Sequence, residues 1–257
     1  MRILLIRHGD PDYVHDVLTE TGRREAAELA VFMEKEHIDE IYKSPLGRAQ
    51  ETASYTEKKT GMTGKTCEWL QEFPGKLSVD AAPWVKDAYP DWTDHHNEKN
   101  ERIFWDMLPE WLMKKPELLD PVKWRESELA KVSPLVPMYD HVTGEFDRLL
   151  AEHGYVRENG LYHVEKENRK TLAFFCHFGV SCVILSHLWH TSPFMNWHMF
   201  CMTTSTVTEL VSEERRQGTA LFRALRVGDM SHLKATGDRP AFAGRFTEVY
   251  SDMSSRH

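Results

Sequence analysis

The chain opens on a short apolar run, Ile3-Leu4-Leu5-Ile6, that breaks off at Arg7-His8-Gly9. Such a run, bounded by a polar break, predicts a buried strand. A polar loop over residues 10–16 follows, and then Thr19, a residue suited to capping a helix. Gly22, Ala26, Leu29, Ala30 and Met33 recur at helical spacing and predict an amphipathic helix to about Glu36. Residues 38–43 read as a second strand. Ser44-Pro45 is a helix start by composition, with serine as N-cap and proline at the first helical position. That helix is expected to run through Arg48, Ala49, Thr52 and Ala53 to about Thr60, where Gly61 can end it. Residues 66–70 read as a third strand that delivers Glu72 to its end.

Residues 76–137 change character. They are rich in proline and hold Trp84, Trp92, Trp105, Trp111 and Trp124. Disordered segments are poor in aromatics, so this stretch reads as a helical insertion whose tryptophans mostly fill its own core. Val142, Phe146, Leu149 and Leu150 mark another helix, and residues 155–164 form a hairpin turning at Asn159-Gly160. An apolar strand over 171–176 leads into His177-Phe178-Gly179, with a helix over 180–189 behind it. Two late strands are expected at 205–211 and 219–227. Strands alternating with helices predict a three-layer α/β/α sandwich: a mostly parallel central sheet, with the 76–137 insertion as a helical cap over the active site of a single domain.

Four polar groups fall at one kind of place, just past a strand or in the first turn of a helix: Arg7-His8, Arg48, Glu72 and His177. Ligands of open α/β sheets bind at the carboxyl ends of the strands. Arginine offers planar, bidentate recognition of phosphate, and histidine is a nucleophile and proton carrier near neutral pH. Arg48 and His177 also sit where helix N–H groups favour an anion. The set suffices for phosphoryl transfer without a metal. His8 attacks phosphorus, Arg7, Arg48 and His177 bind the phosphate, and Glu72 protonates the leaving oxygen and later helps activate water.

These residues lie in recognisable motifs. Arg7-His8-Gly9, the L-T-x-x-G pattern from Leu18 to Gly22, Tyr42-Lys43-Ser44-Pro45-Leu46-Gly47-Arg48-Ala49, Leu70-Gln71-Glu72-Phe73 and the ending Gly228-Asp229-Met230-Ser231-His232-Leu233 together resemble the histidine phosphatase superfamily, also called phosphoglycerate-mutase-like. The resemblance covers about residues 1–75 and 140–235. It implies a phosphohistidine intermediate on His8, a pocket of Arg7, Arg48 and His177, Glu72 as proton donor, and no metal or other cofactor for this step. Three departures stand out. Glu25 replaces the usual glutamine, Asp10-Pro11 replaces the usual residues after the first motif, and Phe178 replaces the first glycine after the second histidine. No catalytic side chain is lost, so these departures bear on specificity.

Composition narrows the picture. Of the 257 residues, 41% are hydrophobic and 28% charged, which fits a globular chain. The net charge of −8 argues against general nucleic-acid or anionic-membrane binding, so an anionic substrate needs a locally positive pocket. No apolar run approaches the roughly 18 residues of a membrane span, and the segment 3–6 is too short for a signal peptide. Cys67, Cys176, Cys182 and Cys201 show no paired spacing, which suits reduced thiols in the cytoplasm. Cys176 beside His177 reads as buried packing, because neighbours in a strand point to opposite faces. His95-His96, on a polar stretch, read as solvated rather than metal-binding. The expectation is a cytoplasmic phosphatase acting on a small phosphorylated metabolite. The alternatives are a phosphoglycerate mutase, which returns the phosphoryl group to substrate, and a phosphate-binding module without turnover.

Overall fold

The computed structural model describes residues 1–89, 100–237 and 241; Pro90, Trp92, His95 and His96 lie outside them. The first strand, β1 (Arg2–Arg7), is followed by two short pairing strands, β2 (Pro11–Asp12) and β3 (Val17–Leu18). Then come helix α1 (Glu20–Glu34), strand β4 (Glu40–Lys43), helix α2 (Gly47–Thr60) and strand β5 (Lys65–Thr66). The middle of the chain holds strand β6 (Lys76–Ser78), α3 (Val85–Ala88), β7 (Glu101–Ile103), α4 (Pro109–Leu112), α5 (Pro116–Leu119) and α6 (Glu128–Val132). Next are α7 (Leu135–Glu152), the hairpin β8 (Tyr155–Glu158) and β9 (Leu161–Val164), β10 (Thr171–Cys176), α8 (Phe178–Trp189) and α9 (Pro193–Met199). The long strands β11 (Val207–Arg216) and β12 (Thr219–Asp229) and the short helix α10 (Ser231–Thr236) complete the described chain.

The described residues form two compact units: those of Met1–Glu72, Glu145–Ser181 and from Cys201 on in one, those of Phe73–Gly144 and Cys182–Phe200 in the other. The first unit is built on an eight-stranded sheet in the order β5-β4-β10-β1-β11-β12-β9-β8. Only β11 and β9 run against the other six strands. Side-chain alternation separates its two faces. Leu4 and Ile6, Ile41, Ala173 and Phe175, and Val207 form one buried cluster with Leu29 and Met33 of α1 and Ala53 of α2. On the other face Phe174 stacks on Tyr42 and meets Phe146 of α7 at 6.0 Å between ring centroids. Helices therefore cover both faces of the sheet, and the α/β/α expectation holds.

The second unit pairs β6 with β7 in a two-stranded antiparallel ladder, so its segment of the chain is not purely helical. Its core is aromatic. Trp197 packs against Phe73, Phe104 and Phe194 with centroids 5.2–5.9 Å apart, and Trp124 meets Tyr139 edge-on at 4.9 Å.

Several boundaries differ from the sequence reading, each for a local reason. Helix α2 begins at Gly47, not at Ser44-Pro45. Pro45 and Leu46 form a bend, Leu46 is the N-cap with extended φ/ψ, and the hydroxyl of Ser44 meets His177. Of the expected strand over 66–70 only Thr66 pairs, together with Lys65 before it, and Glu68–Leu70 closes into a 3-10 turn. Strand β11 starts at Val207 because Ser205, at φ +55°, turns its N–H onto the carbonyl of His8. Helix α8 starts at Phe178, immediately after His177. The hairpin turn is as expected, with Asn159 and Gly160 both at positive φ.

Candidate active site

Three adjacent parallel strands set the site. In the β1–β10 register Arg7 lies opposite Cys176, and in the β10–β4 register Phe175 lies opposite Lys43. The next residues, His8, His177 and Ser44, leave the carboxyl edge of the sheet side by side. The rings of His8 and His177 are 5.1 Å apart, and both are buried.

Nδ1 of His8 lies 2.7 Å from the carbonyl oxygen of Gly9. A carbonyl only accepts, so Nδ1 carries the proton and Nε2 keeps its lone pair. Nε2 in turn accepts from Nε of Arg48 at 3.3 Å. Burial, then the charges of Arg7 and Arg48, hold the pKa of His8 well below the usual histidine value, against the opposing pull of the Gly9 carbonyl. His177 is held well below it too, by burial first and then by His8, Arg48 and Arg7. Both rings are therefore neutral at neutral pH.

Ser44 Oγ lies 2.7 Å from Nε2 of His177 and also accepts from the N–H of Leu46. Which of the two atoms donates in that pair follows the ring tautomer of His177, since a serine hydroxyl carries one donor and two acceptor lone pairs. Among the described residues Nδ1 of His177 has no hydrogen-bond partner. Arg48 sits at the second position of α2, where Nη1 meets Asp16 Oδ1 at 2.5 Å and the guanidinium lies 5.3 Å over the ring of Tyr13.

Arg7 donates from Nη1 to the carbonyl oxygen of Met202 at 2.5 Å, and its guanidinium lies 5.7 Å over the ring of Phe178. The bulky residue that departs from the family pattern thus forms a platform for an arginine of the site. Glu72 Oε1 accepts from the N–H of Val180 at 3.2 Å, in the first turn of the helix behind His177. The structure therefore brings His8, Arg48 and His177 into direct proximity. Arg7 and Glu72 are anchored on the segments that flank them.

Close backbone approach explains the glycines. A Cβ on Gly9 would come within 2.7 Å of the carbonyl oxygen of Gly22, and one on Gly22 would run into the backbone of Asp10. The end of β1 thereby lies directly on the start of α1. Glu25 is buried there. It accepts from the N–H of Asp10 and from the hydroxyl of Thr204, and burial raises its pKa. Ser205, whose N–H holds the His8 carbonyl, is itself bonded to Nε2 of His232 at 3.1 Å.

The sequence pattern presents Ser44 only as a helix cap and assigns no part to Tyr13, Asp16 or Ser205. The motif around Arg48 includes Ser44 and is the available signal for it. The other three act across long sequence separations that no local pattern reveals.

Comparison with known proteins follows the same lines. Residues 3–106 match the model of the histidine phosphatase superfamily (branch 1). No curated protein matches the chain in sequence. Among solved structures, a histidine-to-alanine mutant of phosphoserine phosphatase from Entamoeba histolytica, in complex with phosphoserine, superposes with a TM-score of 0.57 at 20% identity, covering 90% of this chain and 98% of that one. A mycobacterial glucosyl-3-phosphoglycerate phosphatase superposes with a TM-score of 0.51 at 18% identity, covering 89% and 99%. At these identities the likeness concerns the fold. His8, Arg48 and Glu72 all lie in the segment that the histidine phosphatase superfamily model matches.

Proposed function

We propose that the protein is a metal-independent phosphatase that hydrolyses a small phosphomonoester through a phosphohistidine on His8. The observation that carries this reading is the state of His8: a buried, neutral imidazole whose proton is held on Nδ1 by the Gly9 carbonyl and whose Nε2 lone pair meets the guanidinium of Arg48.

In the first half-reaction Nε2 of His8 forms a bond to phosphorus as the bond to the ester oxygen breaks. Arg7, Arg48 and His177 bind the oxygens of the transferring group. Preorganised donors of this kind are each worth roughly 100-fold or more in rate. Glu72 gives its proton to the leaving alcohol. In the second half-reaction water attacks phosphorus, Glu72 takes the proton back, the nitrogen–phosphorus bond breaks, and inorganic phosphate leaves with His8 restored.

The phosphatase activities named for the two structural relatives support a small phosphorylated metabolite as substrate. The insertion at 76–137 lies outside the motifs that carry the chemistry, and substrate choice is assigned to it. The setting proposed is the cytoplasm. Among the described residues no helix is long and apolar enough to cross a membrane.

The test is a panel of phosphomonoesters assayed in EDTA, with His8→Ala as control. Phosphate release that survives EDTA and disappears in the variant is expected. Equal release by the variant overturns the reading, and return of the phosphoryl group to a second substrate molecule instead of water makes the protein a mutase.

A further inference from the structure

The loop between β1 and α1 holds an anion against the arginine of the site, and that anion belongs to the protein. Asp16 places Oδ2 2.6 Å from the backbone N–H of Gly47 and Oδ1 2.5 Å from Nη1 of Arg48. One carboxylate therefore spans the first residue of α2 and the side chain of the second. The fit is close: a Cβ on Gly47 would run into the carbonyl oxygen of Asp16. Asp16 itself sits at φ +53°, a conformation that costs a non-glycine residue energy and persists only where surrounding contacts impose it. Tyr13, three residues earlier, lies against the face of the same guanidinium and edge-on to His8 at 6.5 Å.

The face of the guanidinium that Asp16 takes is informative. In arginine, Nε–H and one N–H of Nη2 lie parallel along one edge of the plane, and Nη1 lies on the other side. Arg48 directs Nε to Nε2 of His8 and gives Nη1 to Asp16. The carboxylate thus occupies the side turned away from the nucleophile and leaves the Nε/Nη2 fork aimed at it. A plug that competed with a phosphate for the site would take the fork instead.

We propose that Asp16 is the positioning residue of Arg48: its carboxylate clamps Nη1 to the start of α2 so that the Nε/Nη2 edge meets two oxygens of the phosphoryl group on His8. The proposal rests on the phosphohistidine reading above and adds to it a residue that touches neither substrate nor phosphorus. Misplacing a catalytic group by about an ångström can cost roughly 100-fold in rate. The loss should fall on kcat, because the fork is used most in the transition state.

The experiment is a double-mutant cycle on the full chain, with Asp16→Ala, Asp16→Asn, Arg48→Ala and Asp16→Ala/Arg48→Ala. All are assayed on the best substrate from the panel, with His8→Ala alongside and thermal unfolding recorded for each. Asp16→Ala is expected to lower kcat by roughly tenfold or more while KM changes less. Asp16→Asn, which keeps an acceptor for the Gly47 N–H, should fall between Asp16→Ala and the parent. In the Arg48→Ala background removal of Asp16 should cost nothing further. Unchanged kcat in both Asp16 variants overturns the proposal. So does a rise in activity, which would make Asp16 a plug, and so does a cost that is the same with and without Arg48. If Asp16→Ala does not fold, Asp16→Asn decides between these outcomes. Turnover by His8→Ala at the parent rate counts against the phosphohistidine reading, whatever the Asp16 variants do.

Discussion

Ser44 Oγ and His177 Nε2 stand 2.7 Å apart, both side chains fully buried, at the ends of neighbouring parallel strands. The contact fixes the orientation of the His177 ring, whose Nδ1 has no hydrogen-bond partner among the described residues and, in the proposed reaction, faces the phosphoryl group. Ser44→Ala removes that contact and leaves the buried Nε2 without a partner, a loss of about 1–3 kcal/mol. The expected outcome is a kcat reduced by roughly tenfold together with a lower unfolding midpoint. Steady-state kinetics and urea unfolding of the variant check both.

Phe178 occupies the position where the family pattern has glycine, and here its ring lies under the Arg7 guanidinium. A desolvated cation–π contact is worth up to about 2 kcal/mol. Phe178→Leu keeps the bulk and removes the aromatic face, and it should lower kcat/KM by roughly threefold to thirtyfold. A variant with unchanged kcat/KM would show that Phe178 only fills space.

Acid should destabilise the fold through its buried histidines. Burial lowers the pKa of His232 from the ordinary 6.5 to about 4, and it lowers those of His8 and His177 as well. Below pH 6.5 the unfolded chain takes up protons that the folded chain refuses, so stability falls as pH drops from 6.5 towards each folded value. Above 6.5 these groups contribute no pH dependence. Each histidine contributes a slope of at most about 1.4 kcal/mol per pH unit. Urea unfolding of His232→Gln between pH 6.5 and 4 should show a shallower decline than the parent, whereas parallel curves would contradict the assignment. The same depression keeps His8 and His177 unprotonated through mildly acidic pH. The acid limb of kcat/KM should therefore lie below pH 6.5.

Much of this site is legible in the sequence because it rests on local grammar. The apolar run before Arg7-His8 and the one before His177 read as strands because each is short, continuous and ends in polar residues, and the parallel register then carries both histidines to one edge. Arg48 reads as a first-turn residue of its helix, and it lies there. The helix start itself falls later than composition suggests, because composition cannot tell whether the hydroxyl of Ser44 turns forward to its own helix or sideways to a residue 133 positions away. Residues 66–70 have the composition of a strand, yet only one of them, Thr66, finds a strand partner. Asp16 gives no signal. It is one acidic residue in a polar loop, and its role exists only because folding brings it to Arg48, 32 residues on.

The central claim is that phosphorus passes through His8, and the most direct measurement is the intermediate itself. The protein is mixed with its best phosphomonoester substrate in EDTA, quenched within a turnover in alkali, where phosphohistidine survives, and mapped by mass spectrometry. The account predicts a single phosphoryl group on His8 that appears before inorganic phosphate, decays as phosphate is released, and is absent from His8→Ala. Steady turnover with no phosphoryl group on His8, or with the group on another residue, would contradict it.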